Sequence, residues 1–312
     1  MLISASRRTD IPAYYSSWFF NRWKEGYVLV RNARNPKLVS RVSLSPDVVD
    51  GVVFWSKNPR PLLNNLTKLG PVPYYIQFTL NGYGSDIERN LPDKRKELIP
   101  TFLKLAEKAG PRGVVWRYDP ILFSDHYPMD FHLECFSEFA SRLRGATDTC
   151  VVSFLDVYPS IEKRLKRAGL RAPDLLEEQR LLTGMQKICE ENGITLATCS
   201  ESHQKQVPGV VPNACIDPKR FQAITGVPLD IKKDSAQREA CRCAESVDIG
   251  MYNSCVNGCV YCYANHDEGL CQKNLAIHDP ASPLLYGKLQ GFEDVTEREA
   301  HSNVIRQMSL FD

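Results

Sequence analysis

Seven short apolar runs, rich in β-branched and aromatic residues, recur along this chain and limit its possible folds more than any other feature. They lie at residues 2–6, 51–56, 74–80, 113–118, 150–157, 194–200 and 247–252. Amphipathic helical patterns fill several of the intervals, at residues 16–26, 97–109, 131–144 and 177–193. Apolar strands that alternate with helices are typical of a parallel sheet with both faces covered. The pattern therefore predicts an α/β fold: a parallel (β/α) barrel or a partial TIM-like barrel.

The 312-residue chain is long enough for one large α/β domain with appended segments. We expect the barrel core at 1–265, with an irregular, cysteine-containing insertion at about 202–245. Residues 266–312 then form a C-terminal appendage that ends in a terminal peptide. Two smaller elements are predicted: an extra hairpin at 27–44 and a late helix at 293–307.

Composition excludes a membrane-spanning protein and gives no global electrostatic signal. The 39 basic and 37 acidic residues leave a net charge of +2, which indicates neither nucleic-acid binding nor binding to a lipid surface. No apolar run approaches the ~20 residues that cross a bilayer, and the first residues lack the layout of a secretion signal. We therefore expect a cytoplasmic protein, in which eleven cysteines indicate metal binding or redox chemistry rather than disulfides.

Polar residues gather where the predicted strands end. They are Arg7, Arg8, Asp10, Lys57, Asn58, Asn81, Arg117, Tyr118, Asp119, Asp156, Tyr158 and Glu201. In (β/α) barrels, the loops that follow the strands build the active site. The alternative is that strand-to-helix loops are polar in any such protein.

Three cysteines follow the last predicted strand with the spacing C-x₃-C-x₂-C: Cys255, Cys259 and Cys262. Structural zinc needs four ligands, usually from two C-x₂-C pairs, and no second pair of that type is present. Three thiolates on one loop suit a [4Fe–4S] cluster whose fourth iron has no protein ligand. Two alternatives remain: a non-catalytic iron–sulfur centre, or a zinc site completed by Cys243, Cys271 or His266.

This arrangement resembles the C-x₃-C-x-aromatic-C motif of the radical S-adenosylmethionine superfamily, with Tyr261 as the aromatic residue. The continuation YCYAN is similar to that of the spore photoproduct lyase branch. The resemblance implies a [4Fe–4S] cluster, S-adenosylmethionine as cosubstrate, Tyr261 beside its adenine, and radical chemistry on a substrate.

The position of the motif differs from that superfamily, where the cysteines usually follow the first strand. We therefore predict a circularly permuted radical core in which residues 247–252 form the first strand and 2–6 the second. The strand end WRYDP (116–120) resembles the R-x-D-P of some relatives, which implies that Arg117 contacts the cosubstrate. A glycine-rich second-strand motif is not identifiable. Over nearly its whole length, the chain resembles the uncharacterised bacterial family called domain of unknown function 1848, and that resemblance supplies no substrate.

The remaining cysteines divide into two groups, apart from Cys271. Cys135, Cys150 and Cys189 fall on apolar faces of predicted elements and are expected to be buried as small hydrophobes. Four others lie at a strand end or in irregular sequence: Cys199, Cys215, Cys241 and Cys243. These four could hold an auxiliary [4Fe–4S] cluster or a structural zinc, or they could be scattered thiols. Cys271 could replace one of them.

Two charge-based roles are predicted for the rim. Guanidinium groups bind carboxylate or phosphate, which favours Arg7, Arg8 and Arg117 as anion-binding residues. Ribose binding or proton handling is assigned to three acidic residues: Asp10, Asp119 and Glu201. The predicted activity is reductive cleavage of S-adenosylmethionine, which requires an electron donor such as a flavodoxin or ferredoxin. The alternatives are a non-catalytic metal-binding DNA-repair module and a barrel hydrolase with a structural metal.

Two surface segments complete the sequence features. The basic run at 162–171, with Leu165 and Leu170 as inward anchors, is typical of a solvated helix face, although it could contact a phosphate backbone. The last residues include Gln307, Leu310 and Phe311, which look like the peptide by which bacterial repair proteins bind the sliding clamp. The alternative is that these apolar residues pin the tail to the protein's own surface.

Overall fold

The computed structural model describes residues 1–201 and 207–305, which contain eleven strands and eight α-helices. The strands are β1 (Leu2–Ala5), β2 (Tyr27–Arg31), β3 (Leu38–Ser43), β4 (Gly51–Ser56), β5 (Tyr74–Thr79), β6 (Val114–Ile121), β7 (Thr149–Phe154), β8 (Thr195–Thr198), β9 (Val211–Pro212), β10 (Val247–Asp248) and β11 (Asp294–Glu297). The helices are α1 (Ile11–Tyr14), α2 (Ser16–Glu25), α3 (Ile99–Ala109), α4 (Met129–Leu143), α5 (Pro159–Arg167), α6 (Leu175–Asn192), α7 (Pro218–Thr225) and α8 (Glu268–Ala276). Two 3₁₀-helices and one π-turn lie at Arg60–Leu62, Leu66–Leu69 and Lys94–Leu98. None of the helices in these ranges is long and apolar enough to cross a membrane.

Eight strands form one parallel sheet in the order β10-β1-β4-β5-β6-β7-β8-β9. All seven apolar runs are strands of this sheet, so the predicted α/β architecture is confirmed; β9 was not predicted. The last predicted strand lies beside the first, with Ile3 paired to Val247 and Ser4 to Asp248. No pairing joins β9 to β10 in the described residues, and closure of the barrel stays a prediction.

The two faces of the sheet pack against different layers because side chains alternate along each strand. In β4, Val52 and Phe54 belong to the core that includes the buried residues of α2, α3, α4 and α6. Val53, between them, belongs to a second core on the opposite face. That core joins one face of six strands to Cys215, Ile216 and Phe221 of the predicted insertion. The insertion therefore covers the face of the sheet opposite these helices, which explains why the strands are apolar on both sides.

The four predicted helices are confirmed as α2, α3, α4 and α6, and their ends follow local sequence signals. Helix α6 begins at a capping box in which Asp174 and Glu177 bond each other's backbone N–H groups. It ends before Gly193, which takes the left-handed conformation that glycine adopts without strain. The basic run forms α5, where Leu165 is buried as expected.

A second, smaller sheet has the order β11-β3-β2. Strands β2 and β3 are antiparallel, which confirms the predicted hairpin at 27–44. The prediction of a late helix at 293–307 is wrong for the described residues, because Asp294–Glu297 forms β11 and pairs with β3. The open edge of the hairpin supplies the hydrogen bonds that this segment uses, and its β-branched Val295 and Thr296 favour a strand. The domain boundary near 265 stays a prediction.

Three cysteines outside the predicted metal groups lie in the helix-side layers of the core. Cys135 is on α4, Cys150 on β7 and Cys189 on α6, and all three are buried. Their prediction as small buried hydrophobes is confirmed.

Candidate functional site

A cavity of about 720 Å³ lies at the carboxyl end of the parallel sheet. Nine of the predicted polar or aromatic residues line it: Arg7, Arg8, Asp10, Lys57, Arg117, Asp119, Asp156, Tyr158 and Tyr261. Seven cysteines line it as well: Cys199, Cys215, Cys241, Cys243, Cys255, Cys259 and Cys262. Because parallel strands end at one edge of a sheet, residues far apart in sequence meet at this place.

Four predicted rim residues, Asn58, Asn81, Tyr118 and Glu201, do not line this cavity. The prediction for Tyr118 is wrong, because its ring is fully buried in the core and its hydroxyl lies 3.0 Å from His132 Nδ1. Asn81 donates to the carbonyl of Asp119 at 3.2 Å. Glu201 accepts from the Phe154 N–H at 3.0 Å, and burial raises its pKa to about 7.

The segment 254–265, here called the three-cysteine loop, is held by residues from the beginning of the chain. Thr9 Oγ1 lies 2.5 Å from Ser254 Oγ, and the Tyr15 hydroxyl donates to the Ser254 carbonyl at 2.5 Å. The Tyr14 hydroxyl donates to Asn257 Oδ1 at 2.7 Å. The first helices therefore fix a loop that follows the last strand of the core, because β10 and β1 are neighbours.

The other side of the three-cysteine loop is held by α5. Arg164 Nη1 donates to the carbonyl of Asn265 at 3.1 Å, and its Nη2 donates to the carbonyl of Cys262. Asn265 Nδ2 in turn donates to the Cys255 carbonyl at 2.7 Å. One arginine of the basic run is therefore directed at the cysteines rather than at solvent.

The donor chemistry of the three-cysteine loop fits a metal cluster. Burial raises the pKa of Cys255, Cys259 and Cys262, and a bound cation would replace the thiol protons. The positive charges of Lys57 and Arg164 act against burial and favour the thiolate forms of Cys259 and Cys262, respectively. In the described residues, no three Cys, His, Asp or Glu side chains are gathered closely enough for a single metal ion. A cubane cluster makes no such demand, because each of its thiolates binds a different iron.

Of the three predicted fourth ligands for a zinc alternative, Cys243 lines the cavity, whereas Cys271 and His266 do not. Cys271 is buried on α8 and does not line the cavity. His266 does not line it either, and its ring stacks on Tyr252 with the centroids 6.2 Å apart. Cys243 lies in the wall, where its thiol is hydrogen-bonded to Cys215 and Cys241.

Gly258 is the position in this loop where a side chain is hardest to accommodate. Its φ is +67°, and a Cβ there would lie 3.1 Å from both Arg89 Cβ and Asn90 Nδ2. We expect Gly258→Ala to lower the free energy of unfolding by about 1–2 kcal/mol and to reduce the iron retained after anaerobic reconstitution. Gly287→Ala is the matched control, because Gly287 has a φ of +74° but open space around it. Equal iron contents in the two variants would contradict a role for this turn in placing the cysteines.

A buried ion cluster beside the loop was not predicted from the sequence. Glu88 has a fully buried side chain and pairs with Lys57 at 2.7 Å and with Lys94 at 2.5 Å. Glu88 also accepts from the Tyr261 hydroxyl, and Lys57 lies 5.4 Å from the centre of the Tyr261 ring. Burial raises the pKa of Glu88, but the charges of the two lysines outweigh burial and lower that pKa to about 2. Tyr261 is therefore fixed by a charged network next to Cys259.

Asp10 lies at the centre of a different network. Its carboxylate accepts from Ser56 Oγ at 2.6 Å, the Lys57 N–H at 2.8 Å and Asn257 Nδ2 at 3.0 Å. It also accepts from the Ala13 N–H at 3.0 Å and so caps α1. These contacts join β4, α1 and the three-cysteine loop. They favour a positioning role for Asp10, and its predicted part in proton handling stays a prediction.

Asp248 at the end of β10 is a further residue that sequence reasoning missed. It accepts from Ser6 Oγ at 2.5 Å, the Arg7 N–H at 2.9 Å, Arg8 Nη2 at 3.0 Å and the Gly250 N–H at 3.0 Å. The sequence contained a signal for this residue, because Asp248 lies at the end of a predicted strand, as the predicted rim residues do. Asp248 joins the loop after β1 to β10, the strand that precedes the three-cysteine loop. It also pairs with the Arg8 guanidinium, which was predicted to bind an anion.

Replacing Asp248 by Asn is expected to lower the free energy of unfolding at pH 7 by about 2–3 kcal/mol, because the hydrogen bonds to a buried charge are weakened. Burial raises the pKa of Asp248, but Arg8 and the hydrogen bonds outweigh burial and hold the pKa below its usual value. A lowered folded-state pKa gives stability that is present above the unfolded pKa of about 3.9 and is lost as the pH falls. The difference between wild type and variant, measured by urea unfolding, should therefore shrink towards pH 3.

The control for this prediction is Glu297→Gln, which removes an exposed pair with Arg41 of 2.8 Å. Exposed pairs contribute little, so this variant should unfold like the wild type at both pH values. An Asp248→Asn protein with the same stability as the control would show that the hydrogen bonds of Asp248 to the loop after β1 do not stabilise the fold.

Arg7 and Arg117 both lie against Trp55, each with its guanidinium carbon 5.3 Å from the ring centre. Arg117 is almost fully buried, pairs with Asp119 at 3.1 Å and donates to Cys215 Sγ at 3.0 Å. Arg7 Nη2 and Trp55 Nε1 are buried donors without a partner in the described residues. Such donors are rare in proteins, so this wall of the cavity suits a ligand with acceptor atoms.

Four cysteines, here called the four-cysteine set (Cys199, Cys215, Cys241 and Cys243), meet on the same wall. Cys199 Sγ lies 3.3 Å from Cys215 Sγ. Cys215 is hydrogen-bonded to Cys243, and Cys243 to Cys241. The hydrogen bond from Cys215 lowers the pKa of Cys199 to about 6. The structure thus brings together the four cysteines that the sequence grouped.

Comparison with known proteins gives one family. The family model described as "Domain of unknown function (DUF1848)" matches residues 2–264. The search of curated proteins found no match.

Proposed function

The chain belongs to the family described as domain of unknown function (DUF1848), and we propose that it is an iron–sulfur enzyme of the radical S-adenosylmethionine type. Cys255, Cys259 and Cys262 would hold a [4Fe–4S] cluster. The observation that carries the proposal is their placement: three thiols from one loop, one buried and two half-buried, line a cavity of about 720 Å³ that arginines and carboxylates also line.

The remaining residues of the cavity have roles consistent with this proposal. When bound, the cluster would supply the electron for reductive cleavage of S-adenosylmethionine to methionine and a 5′-deoxyadenosyl radical. Tyr261 offers its ring to the adenine while Glu88 fixes its hydroxyl. Arg7 and Trp55 direct unpaired N–H donors to acceptor atoms of a ligand. Asp119, held by Arg117 and Ser153, offers a carboxylate to ribose hydroxyls.

The finer fold proposal is a circularly permuted, partial barrel. Support comes from the pairing of β10 with β1, which makes the strand before the cysteines a neighbour of the first strand in the chain. Support also comes from the helices on one face of the sheet and the insertion on the other. A cut between neighbouring strands leaves the packing of such a sheet unchanged.

Reductive cleavage of S-adenosylmethionine needs an electron, and we therefore propose a reductant protein such as a flavodoxin or ferredoxin as the partner. The clamp-binding peptide at Gln307–Phe311 lies outside the described residues and remains a prediction from sequence. The cytoplasmic location also remains a prediction.

The test is anaerobic reconstitution with iron and sulfide, followed by reduction with dithionite and electron paramagnetic resonance. We expect about four irons at the three-cysteine loop, a signal that changes when S-adenosylmethionine is added, and 5′-deoxyadenosine among the products. A single zinc at this loop and no 5′-deoxyadenosine would favour the non-catalytic module instead. A hydrolytic activity that survives in a folded Cys259→Ala protein would favour the barrel hydrolase.

A further inference from the structure

The four-cysteine set comes from three separate segments of the chain. Cys199 follows β8, Cys215 precedes α7, and the Cys241–Cys243 pair precedes β10. Their side chains nevertheless come together: Cys199 Sγ lies 3.3 Å from Cys215 Sγ, and the Cys243 thiol interacts with the thiols of both Cys215 and Cys241. Isolated buried thiols that act as small hydrophobes need no such contacts.

We propose that the four-cysteine set is a second thiolate metal centre, separate from the three-cysteine loop. Its ligand is a thiophilic cation, either one zinc ion or a second iron–sulfur cluster with all irons ligated. The proposal does not depend on the function proposed above, because it uses different cysteines.

The charges around the four-cysteine set match such a centre. Four thiolates around a divalent ion, or around a [4Fe–4S]²⁺ core, leave two negative charges to be balanced. Thiols of this set act electrostatically on the guanidinium groups of Arg7, Arg117 and Arg238, and Arg117 donates to Cys215 Sγ at 3.0 Å. Buried charge is stable only when it is paired, and here these arginines supply the counter-charge.

The backbone that carries the sulfurs is fixed by hydrogen bonds to two strands, β5 and β7, and by one between the insertion segments. The Cys215 carbonyl accepts from the Tyr75 hydroxyl at 2.7 Å and from Gln77 Nε2 at 2.9 Å. The Cys199 N–H donates to the Val152 carbonyl at 2.9 Å. The Ala244 N–H, next to Cys243, donates to the Ile216 carbonyl at 2.9 Å and joins the two insertion segments. The sulfur atoms are therefore held close together without help from a ligand.

Metal binding would require the thiols to reorient around a common point. Zinc–sulfur bonds of about 2.3 Å place two thiolates of a tetrahedral site about 3.8 Å apart, whereas Cys199 and Cys215 are 3.3 Å apart. The four sulfurs do not yet surround one point, since residues 1–201 and 207–305 contain no ready-made group of three ligands. Rotation of the thiols away from one another and from Arg117 would leave space for a metal ion between the four sulfur atoms. A single ion needs the smaller movement, so one zinc is the expected occupant.

The experiment uses the full chain with Cys255, Cys259 and Cys262 all changed to Ser, which removes the three-cysteine loop as a ligand. After purification and gel filtration, elemental analysis should find about one zinc per chain, or about four irons if the centre is a cluster. Adding Cys199→Ser and Cys243→Ser should reduce the metal content at least tenfold, whereas adding Cys135→Ser should not change it. A folded triple variant without stoichiometric metal would overturn the proposal, whatever the reconstituted wild type does.

A second measurement needs no variant and remains informative if the substituted chains fail to fold. Wild-type protein is alkylated with iodoacetamide before and after treatment with a zinc- and iron-binding chelator, and its peptides are analysed by mass spectrometry. We expect the four-cysteine set to be protected until the chelator is added. Alkylation at the same rate in both samples, or a disulfide between Cys199 and Cys215, would contradict a metal centre.

Discussion

Replacing Cys259 by Ala is expected to leave a folded protein that forms no 5′-deoxyadenosine, a loss of more than about 100-fold. Cys259 is the central cysteine of the three-cysteine loop and lies beside Lys57 and Tyr261 in the cavity wall. Two thiolates from one loop cannot hold a cubane cluster that needs three or four. The measurement is anaerobic turnover with S-adenosylmethionine and dithionite, together with iron analysis after reconstitution.

Cys135→Ala is the matched control for this prediction. Cys135 is also buried, but it lies on α4 and does not line the cavity. This variant should retain both iron and activity. If Cys259→Ala and Cys135→Ala formed 5′-deoxyadenosine equally well, the three-cysteine loop would not be the catalytic centre.

Replacing Glu88 by Gln, next to the three-cysteine loop, is expected to destabilise the protein strongly. The Glu88 side chain is fully buried between Lys57 at 2.7 Å and Lys94 at 2.5 Å. The substitution leaves two buried ammonium groups without a counter-charge, and breaking a buried pair in this way costs about 3–5 kcal/mol. Urea unfolding at pH 7 measures the change.

The same buried ion cluster makes the stability of the protein depend on pH in a definite direction. The charges of Lys57 and Lys94 overcome burial and lower the pKa of Glu88 to about 2, below its unfolded value. The stability from the charged carboxylate is therefore fully present above pH ~4.3 and is lost as the pH falls towards 2. The difference between wild type and Glu88→Gln should narrow over that range.

Glu162→Gln is the control, because Glu162 pairs with Lys166 at the same distance of 2.7 Å on the surface of α5. Exposed pairs of this kind contribute little, so the control should unfold like the wild type. A Glu88→Gln protein as stable as this control would show that the buried cluster does not stabilise the fold.

The sequence predicted most of the fold because its main signals were local. Seven apolar runs and four helical patterns were placed correctly, and the neighbouring positions of β10 and β1 followed from the late cysteine motif. Strand β11 was missed because its partner is the edge of β3, more than 250 residues earlier in the chain. A segment whose structure depends on so distant a hydrogen-bonding edge carries little local signal.

Most of the predicted site residues lie at strand ends, whereas two residues of the site were missed for different reasons. Arg7, Arg117 and Asp119 were found by that rule, and Asp248 was overlooked although it obeys it. Glu88 lies in an irregular loop, and its burial depends on two lysines that come from different elements. No periodicity or spacing indicates such a cluster, because the three side chains meet only in the folded protein.

The attachment of Ser254 and Asn257 to Thr9, Tyr14 and Tyr15 has a consequence for biosynthesis. On the ribosome, the anchoring residues emerge before the three-cysteine loop and remain without their partners while some 240 further residues are translated. Domains usually fold as units during synthesis, and here the cysteines can take their positions only after all of these residues have been translated. Cofactor loading would then be a late maturation event, and incomplete translation products would be unable to capture iron.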